Sequence, residues 1–180
     1  MPTIFDNIDA HLFKGLENTL QVSKRADFCV GYFNLRGWRL LDSYIEEWPG
    51  SDSECCRLLV GMQKLPHDIL REDLGRLAET HDTGNPDHKT AMRIKTQLAE
   101  QFRQQLIMGS PSNVDEAGLR RLAAQLMAKK VKVKLYLRHT LHAKLYLLFR
   151  KDDPNLKSVG FLGSSNLTLA GLSNQGELNV

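Results

Sequence analysis

Near residue 131 the apolar residues stop recurring every three or four positions and begin to alternate. Before that point the spacing is helical. Ile8, Leu12, Leu16 and Leu20 recur every fourth residue and predict a helix over about Asp6 to Val22. After it, Val131, Val133, Leu135 and Leu137 alternate with Lys132, Lys134 and Tyr136, the pattern of a half-exposed strand. A chain that changes period in this way folds as a sheet with helices packed on it.

The remaining elements fit the same frame. Phe28 to Phe33 and Cys56 to Met62 are short apolar runs and read as buried strands. Between them, Asn34 to Gly37 reads as a turn. A helix follows from Trp38 to Trp48, presents Trp38, Leu41, Ile45 and Trp48 to the core, and stops at Pro49-Gly50. The middle of the chain reads as helix over His67 to Glu79, loop over Thr80 to Asp87, and helix over Lys89 to Met108. Asn113 with Glu116 suggests a capping box for a further helix that runs to Lys130 and buries Leu119, Leu122 and Leu126. Leu141 to Phe149 reads as a strand joined to the preceding one in a hairpin. Val159 to Leu162 and Glu177 to Val180 read as further strands, with a short helix or turn over Thr168 to Leu172. The expected fold class is therefore α/β, a mixed β-sheet flanked by helices, in a single domain over residues 1–180.

Composition narrows the setting. No apolar run approaches the ~18 residues of a membrane span, and the N-terminus lacks the basic region of a secretory signal. Cys29, Cys55 and Cys56 have neither disulfide-framework nor zinc-site spacing, so free thiols in the cytoplasm are expected. Charge is uneven. Between Lys129 and Lys157 nine Lys or Arg stand against Asp152 and Asp153, while the rest of the chain is net negative. A basic C-terminal third suits a phosphate-bearing ligand, although Lys132, Lys134 and Arg138 would also serve to solvate an outer strand face.

Chemistry concentrates in three segments. In Leu141-His142-Ala143-Lys144-Leu145-Tyr146, strand alternation projects His142 and Lys144 to one side and sends Leu141, Ala143, Leu145, Leu147 and Phe149 into the core. An imidazole can attack phosphorus or move a proton near neutral pH, and an ammonium can neutralise non-bridging oxygens. Such a pair alone is commonly a solvent-facing accident. Some twenty residues on, Gly163-Ser164-Ser165-Asn166 ends an apolar strand with hydroxyl and amide donors. Then Gly176-Glu177 places a carboxylate at a strand start, where it could hold the second ring nitrogen of a histidine.

This ordered set, HxK, then GSSN, then GE, resembles the phospholipase D superfamily, most clearly over Val131 to Val180 and more loosely to the N-terminus. It looks closest to the prokaryotic nuclease branch, which includes metal-independent restriction endonucleases and domains fused ahead of helicases. The resemblance implies a phospholipase D-like α-β-α fold with one half-site per chain. It implies a metal-independent phosphodiesterase that needs no cofactor, with DNA as the expected substrate. His142 would form a phosphohistidine or act as its acid partner. Lys144, Ser164, Ser165 and Asn166 would bind phosphate, and Glu177 would orient His142. Two histidines are needed for the family reaction, so a homodimer with its site at the two-fold interface is expected. The family normally continues with a helix after the glutamate strand. The resemblance therefore implies a piece of a longer protein truncated after Val180, with a helicase or target-reading part as the natural companion.

One position departs from the family pattern: four residues beyond HxK an Asp is usual, and here stands Phe149. That lends weight to one rival reading, an inert DNA-binding and dimerisation module of a helicase, and puts the full lipase-type motif in doubt; the second alternative is a hydrolase of phospholipids or other phosphodiesters. The second lacks an apolar helix for membrane docking. Tyr146 shares the face of His142 and Lys144 and could touch a sugar or base, or pack at a dimer interface. Arg25 and Arg36 flank the first strand and could reach a backbone phosphate. His139 reads as a turn residue, His67, His81 and His88 as surface residues, and Trp38 and Trp48 as core.

Overall fold

The computed structural model describes residues 3–61, 112–136 and 141–180, together with Lys89, Met92, Arg93, Thr96, Glu100, Arg103 and Gln104. Those seven are helical and exposed, within the span expected to be a helix over Lys89 to Met108. The expected helix at 67–79 and loop at 80–87 lie outside the described residues, as do His67, His81, His88 and His139.

Helix α1 spans Leu12–Leu20 and buries Leu12, Leu16 and Leu20 completely or nearly so. It starts later than its leucine spacing predicts. Asp6 Oδ1 accepts the N–H groups of Ile8, Asp9 and Ala10 at 2.9, 3.0 and 3.0 Å, which folds residues 6–10 into a turn. Ile8 is therefore outside the buried stripe and 72% exposed. Strand β1, Ser23–Val30, begins five residues before the apolar run, because its outward positions Arg25 and Asp27 disguise it. Two short helices follow, α2 at Leu35–Trp38 and α3 at Asp42–Glu46, where one was expected. Asn34 caps α2 by accepting Gly37 N–H at 2.8 Å. Trp38 and Trp48 are both core, and their indole N–H groups donate to Gln125 Oε1 and Ser23 O, each at 3.1 Å.

Strand β2 is Cys56–Gly61 and helix α4 is Asn113–Met127. The cap of α4 is Ser112 rather than Asn113: its Oγ accepts Asp115 N–H at 3.1 Å. The buried face of α4 also differs from expectation. Leu122 is buried, but Leu126 is 40% exposed, and Gln125 is the inward residue at 1%. Gln125 is affordable there because all its polar atoms are used. Its Nε2 donates to Asp42 O at 2.9 Å and Glu46 Oε2 at 3.0 Å, and its Oε1 takes the Trp38 N–H.

Strands β3 (Val131–Tyr136), β4 (Lys144–Arg150) and β5 (Ser158–Leu162) complete a five-stranded mixed sheet of order β3-β2-β1-β4-β5. The fold is α/β, as expected. The hairpin is not formed. β3 pairs in parallel with β2 at one edge, whereas β4 crosses to the far side of β1 and pairs antiparallel with it. Just ahead of β4, Leu141 lies against Gly61 at the end of β2, where an added Cβ would come within 2.2 Å of the leucine Cβ. Only glycine permits that approach.

The faces of β4 are also reversed from expectation. Tyr146 and Leu148 are buried at 0%, packed with Phe28, Val30, Leu58 and the leucines of α1. Leu145, Leu147 and Phe149 point to the other side, where Asp27, Cys29, Arg57, Leu59, Lys132 and Lys134 join Leu145 and Leu147 around a depression of about 510 Å³. Apolar residues on both faces of β4 make its sidedness unreadable from alternation alone. Among the described residues no helix is long and apolar enough to cross a membrane.

Candidate active site at the carboxyl edge of the sheet

Strand β1 has parallel β2 on one side and antiparallel β4 on the other. The chain leaves β1 towards β2 and β3, then returns to the opposite side for β4 and β5. In open α/β sheets the usual ligand position is outside the carboxyl ends of the parallel strands, where the strand order reverses. Lys144, the first residue of β4, pairs with Val30, the last of β1. β5 runs back towards the same edge and ends there at Leu162. Gly163 N–H then donates to Lys144 O at 3.3 Å.

The last residues add a further row. Asn179 bridges Gly163 on one side and Phe5 on the other, and Leu162 and Val180 exchange two backbone hydrogen bonds of 2.9 Å. The expected strand over Glu177 to Val180 is thus present as a short pairing beside β5, with Glu177 at its edge end. Three segments distant in sequence thus meet at this edge: Gly163 N–H on Lys144 O, and the Ser164 backbone on Leu178, the neighbour of Glu177.

The side chains differ in exposure and in their hydrogen bonds. His142 precedes β4 and is exposed, while Lys144 is half-buried and donates from Nζ to His142 O at 3.1 Å. Ser164 is exposed, its backbone N–H donates to Leu178 O at 3.0 Å, and its Oγ accepts Leu178 N–H at 3.1 Å. Asn166 Oδ1 accepts Tyr32 N–H at 2.9 Å, which fixes the amide plane and leaves its Nδ2 hydrogens as donors. Leu167 is sewn to the end of β1 through Tyr32 O and Asn34 N–H, both at 3.1 Å. Glu177 is half-buried, with its N–H on Asp6 O at 3.2 Å. Together these give an imidazole, an ammonium, a hydroxyl, amide donors and a carboxylate on one edge. Such a set can hold an anionic group against a nucleophile.

Three sequence-predicted site residues are placed elsewhere. Ser165 is turned inward at 0% exposure and its hydroxyl accepts Asn179 Nδ2 at 2.8 Å, so it cannot meet a phosphate. Tyr146 is equally buried, edge-on to Phe28 with ring centroids 5.2 Å apart, and cannot touch a base or a partner surface. Burial first, and the carboxylate of Glu177 second, push its phenol well above the ordinary range. Arg25 lies five positions back along β1, roughly 17 Å from the edge at strand rise, stacked on Phe149 with its guanidinium 4.2 Å from the ring centroid. Arg36 is nearer, on α2, and forms an ion pair with Asp115 at 3.5 Å.

Two supporting residues carry no sequence signal. Asn179 sits in a short strand where either face could be buried. Asn7 joins the N-terminal turn to the segment after Asn166: its Nδ2 donates to Gly171 O at 2.7 Å and Gln175 O at 3.2 Å, and its Oδ1 accepts Leu12 N–H at 2.8 Å. Among the described residues no cluster of three His, Cys, Asp or Glu side chains could hold a metal ion. Comparison with protein-family models and with curated proteins finds no match to this chain.

Proposed function

We propose that this chain is a metal-independent phosphodiesterase of phospholipase D-like fold that cleaves DNA as a homodimer. The observation that carries the reading is the meeting of the HxK, GSSN and GE segments at one sheet edge, where Gly163 N–H donates to Lys144 O and Ser164 N–H donates to Leu178 O beside Glu177. In the proposed reaction the His142 imidazole attacks phosphorus, the P–O bond to the leaving nucleotide breaks, and that oxygen takes a proton from His142 of the partner subunit. Water then attacks the phosphohistidine, giving a proton to the now-neutral imidazole of the partner subunit's His142; the P–N bond breaks and both histidines return to their starting states. Lys144 and Asn166 would bind the non-bridging oxygens, and Glu177 would fix the imidazole tautomer.

Phe149 bears on the rival reading of an inert DNA-binding module. It lies five positions from Lys144 on the outer face, roughly 16 Å away at strand rise, and is covered by Arg25. A carboxylate at that position would not reach the edge, so its loss leaves the proposed site intact. A helicase partner remains an expectation from the resemblance.

The test is incubation of the purified protein with plasmid and single-stranded DNA in excess EDTA, beside His142→Ala. Cleavage by the wild type that disappears in the variant is the expected result. DNA binding without cleavage by either protein would refute the enzyme and favour the inert module. Turnover of phosphatidylcholine vesicles without DNA cleavage would transfer the reading to a lipid hydrolase.

A further inference from the structure

The hydrogen bonds beneath the edge converge on one residue. Ser165 lies between Ser164 and Asn166 and is held three ways: Tyr146 Oη donates to its carbonyl at 2.9 Å, Asn179 Nδ2 donates to its Oγ at 2.8 Å, and its N–H donates to Asn179 Oδ1 at 3.3 Å. All three residues are at most 2% exposed. Each partner stands two positions after a residue of the proposed site: Tyr146 after Lys144 on β4, Asn179 after Glu177 in the extended closing segment. Residues two apart on a strand share a face. The buried layer therefore repeats the order of the edge layer above it, with Ser165 under the Ser164–Asn166 wall.

We propose that Tyr146 and Asn179 are positioning residues that, by gripping Ser165, set the spacing among Lys144, Asn166 and Glu177. This rests on the phosphodiesterase reading and extends it to residues that never meet the substrate. Packing alone would not select them. Phe at 146 would keep the edge contact with Phe28, and an apolar residue at 179 would avoid the desolvation of a buried amide. A phenol and an amide spent on one turn make sense when the position of that turn matters. Displacing a group by about 1 Å at such a site costs on the order of 100-fold in rate.

The experiment is Tyr146→Phe in the EDTA cleavage assay at varied DNA concentration, with circular dichroism and a thermal melt to confirm folding. The expected result is a kcat lower by about 10- to 100-fold with KM within about two-fold, because the spacing counts most when charge develops on the phosphoryl oxygens. A folded Tyr146→Phe with unchanged kcat overturns the proposal while leaving the enzyme reading standing. A wild type that fails to cut, with His142→Ala equally inert, overturns the enzyme reading and the proposal with it. Should Tyr146→Phe not fold, Ser165→Ala decides: it keeps the carbonyl but removes the hydroxyl that Asn179 grips. A several-fold fall in kcat at constant KM supports the clamp, and wild-type kinetics refute it.

Discussion

Replacing Asn7 should unfasten the N-terminal turn from the segment that follows the GSSN wall. Asn7 is 5% exposed and uses its whole amide, donating to Gly171 O and Gln175 O and accepting Leu12 N–H. Alanine would strand two carbonyls and a helix N-terminal donor. At about 1–3 kcal/mol for each unsatisfied buried group, and allowing for partial hydration of the Gln175 carbonyl, the loss is roughly 3–5 kcal/mol. A second cost comes from the backbone, since Asn7 has φ 59°, a conformation that asparagine tolerates and alanine pays about 1–2 kcal/mol to adopt. Glycine separates the two terms. Asn7→Gly loses the same hydrogen bonds but not the strain, and after its larger unfolded-state entropy it should be about 0.5–1 kcal/mol more stable than Asn7→Ala. Urea titrations followed by circular dichroism, compared at a common slope, measure both differences. An Asn7→Ala cost below about 1 kcal/mol would refute the hydrogen-bond argument. Equal stability of the two variants would refute the strain argument.

Gly37→Ala should lower stability by about 1–3 kcal/mol and, on the proposed phosphodiesterase reading, weaken DNA cleavage, because its Cβ would come within 2.6 Å of Leu167 O and Thr168 Cα and push α2 off the segment that follows Asn166; a thermal melt and the cleavage assay check it. Gln125→Leu keeps the volume but leaves the Trp38 indole N–H without its acceptor, so a loss of about 1–3 kcal/mol is expected on urea denaturation, and a neutral result would mean the polar bridge contributes nothing net. Burial works against ionisation of Asp27, but hydrogen bonds from Arg57 and Arg25 outweigh it and hold its carboxyl below the ordinary range. Its contribution is therefore present above the unfolded-state pKa and is lost as pH falls through the lower folded value. Asp27→Asn should remove that part of the acid sensitivity, on the order of 1 kcal/mol at a site this open, and identical stability-versus-pH curves below pH 5 for the two proteins would sink the argument.

The apolar spacing made α1 and β2 legible, and the alternation in Val131 to Tyr136 marked β3. What the sequence pattern hid has particular causes. Arg25 and Asp27 neutralise each other on the outer face, so the first half of β1 looks polar. Tyr146 and Leu148 on one face of β4 and Leu145 and Leu147 on the other are equally apolar, so the buried side follows only from the neighbour β1, with Phe28 opposite Tyr146. The hairpin reading relied on proximity in sequence, whereas β3 finds its partner in β2 across a long connection. Of the candidate site, His142, Lys144, Ser164, Asn166 and Glu177 were visible as motif residues and do reach one edge. Ser165 and Tyr146 were visible for the wrong reason. Their inward direction depends on register, which motif spacing does not carry.

The two extremities of the described chain are joined in a way that matters for handling the protein. Phe5 and Asn179 exchange two backbone hydrogen bonds of 2.8 Å, and the N–H of Glu177 ends on Asp6. The carboxylate is thus placed by residues almost the whole chain away. Trimming into Phe5–Asn7, or fusing a bulky tag close to it, would disturb Glu177 while leaving every motif residue in the polypeptide. A preparation altered there could be silent on DNA for reasons unrelated to its chemistry, so an affinity handle is better set at the end of a long N-terminal spacer.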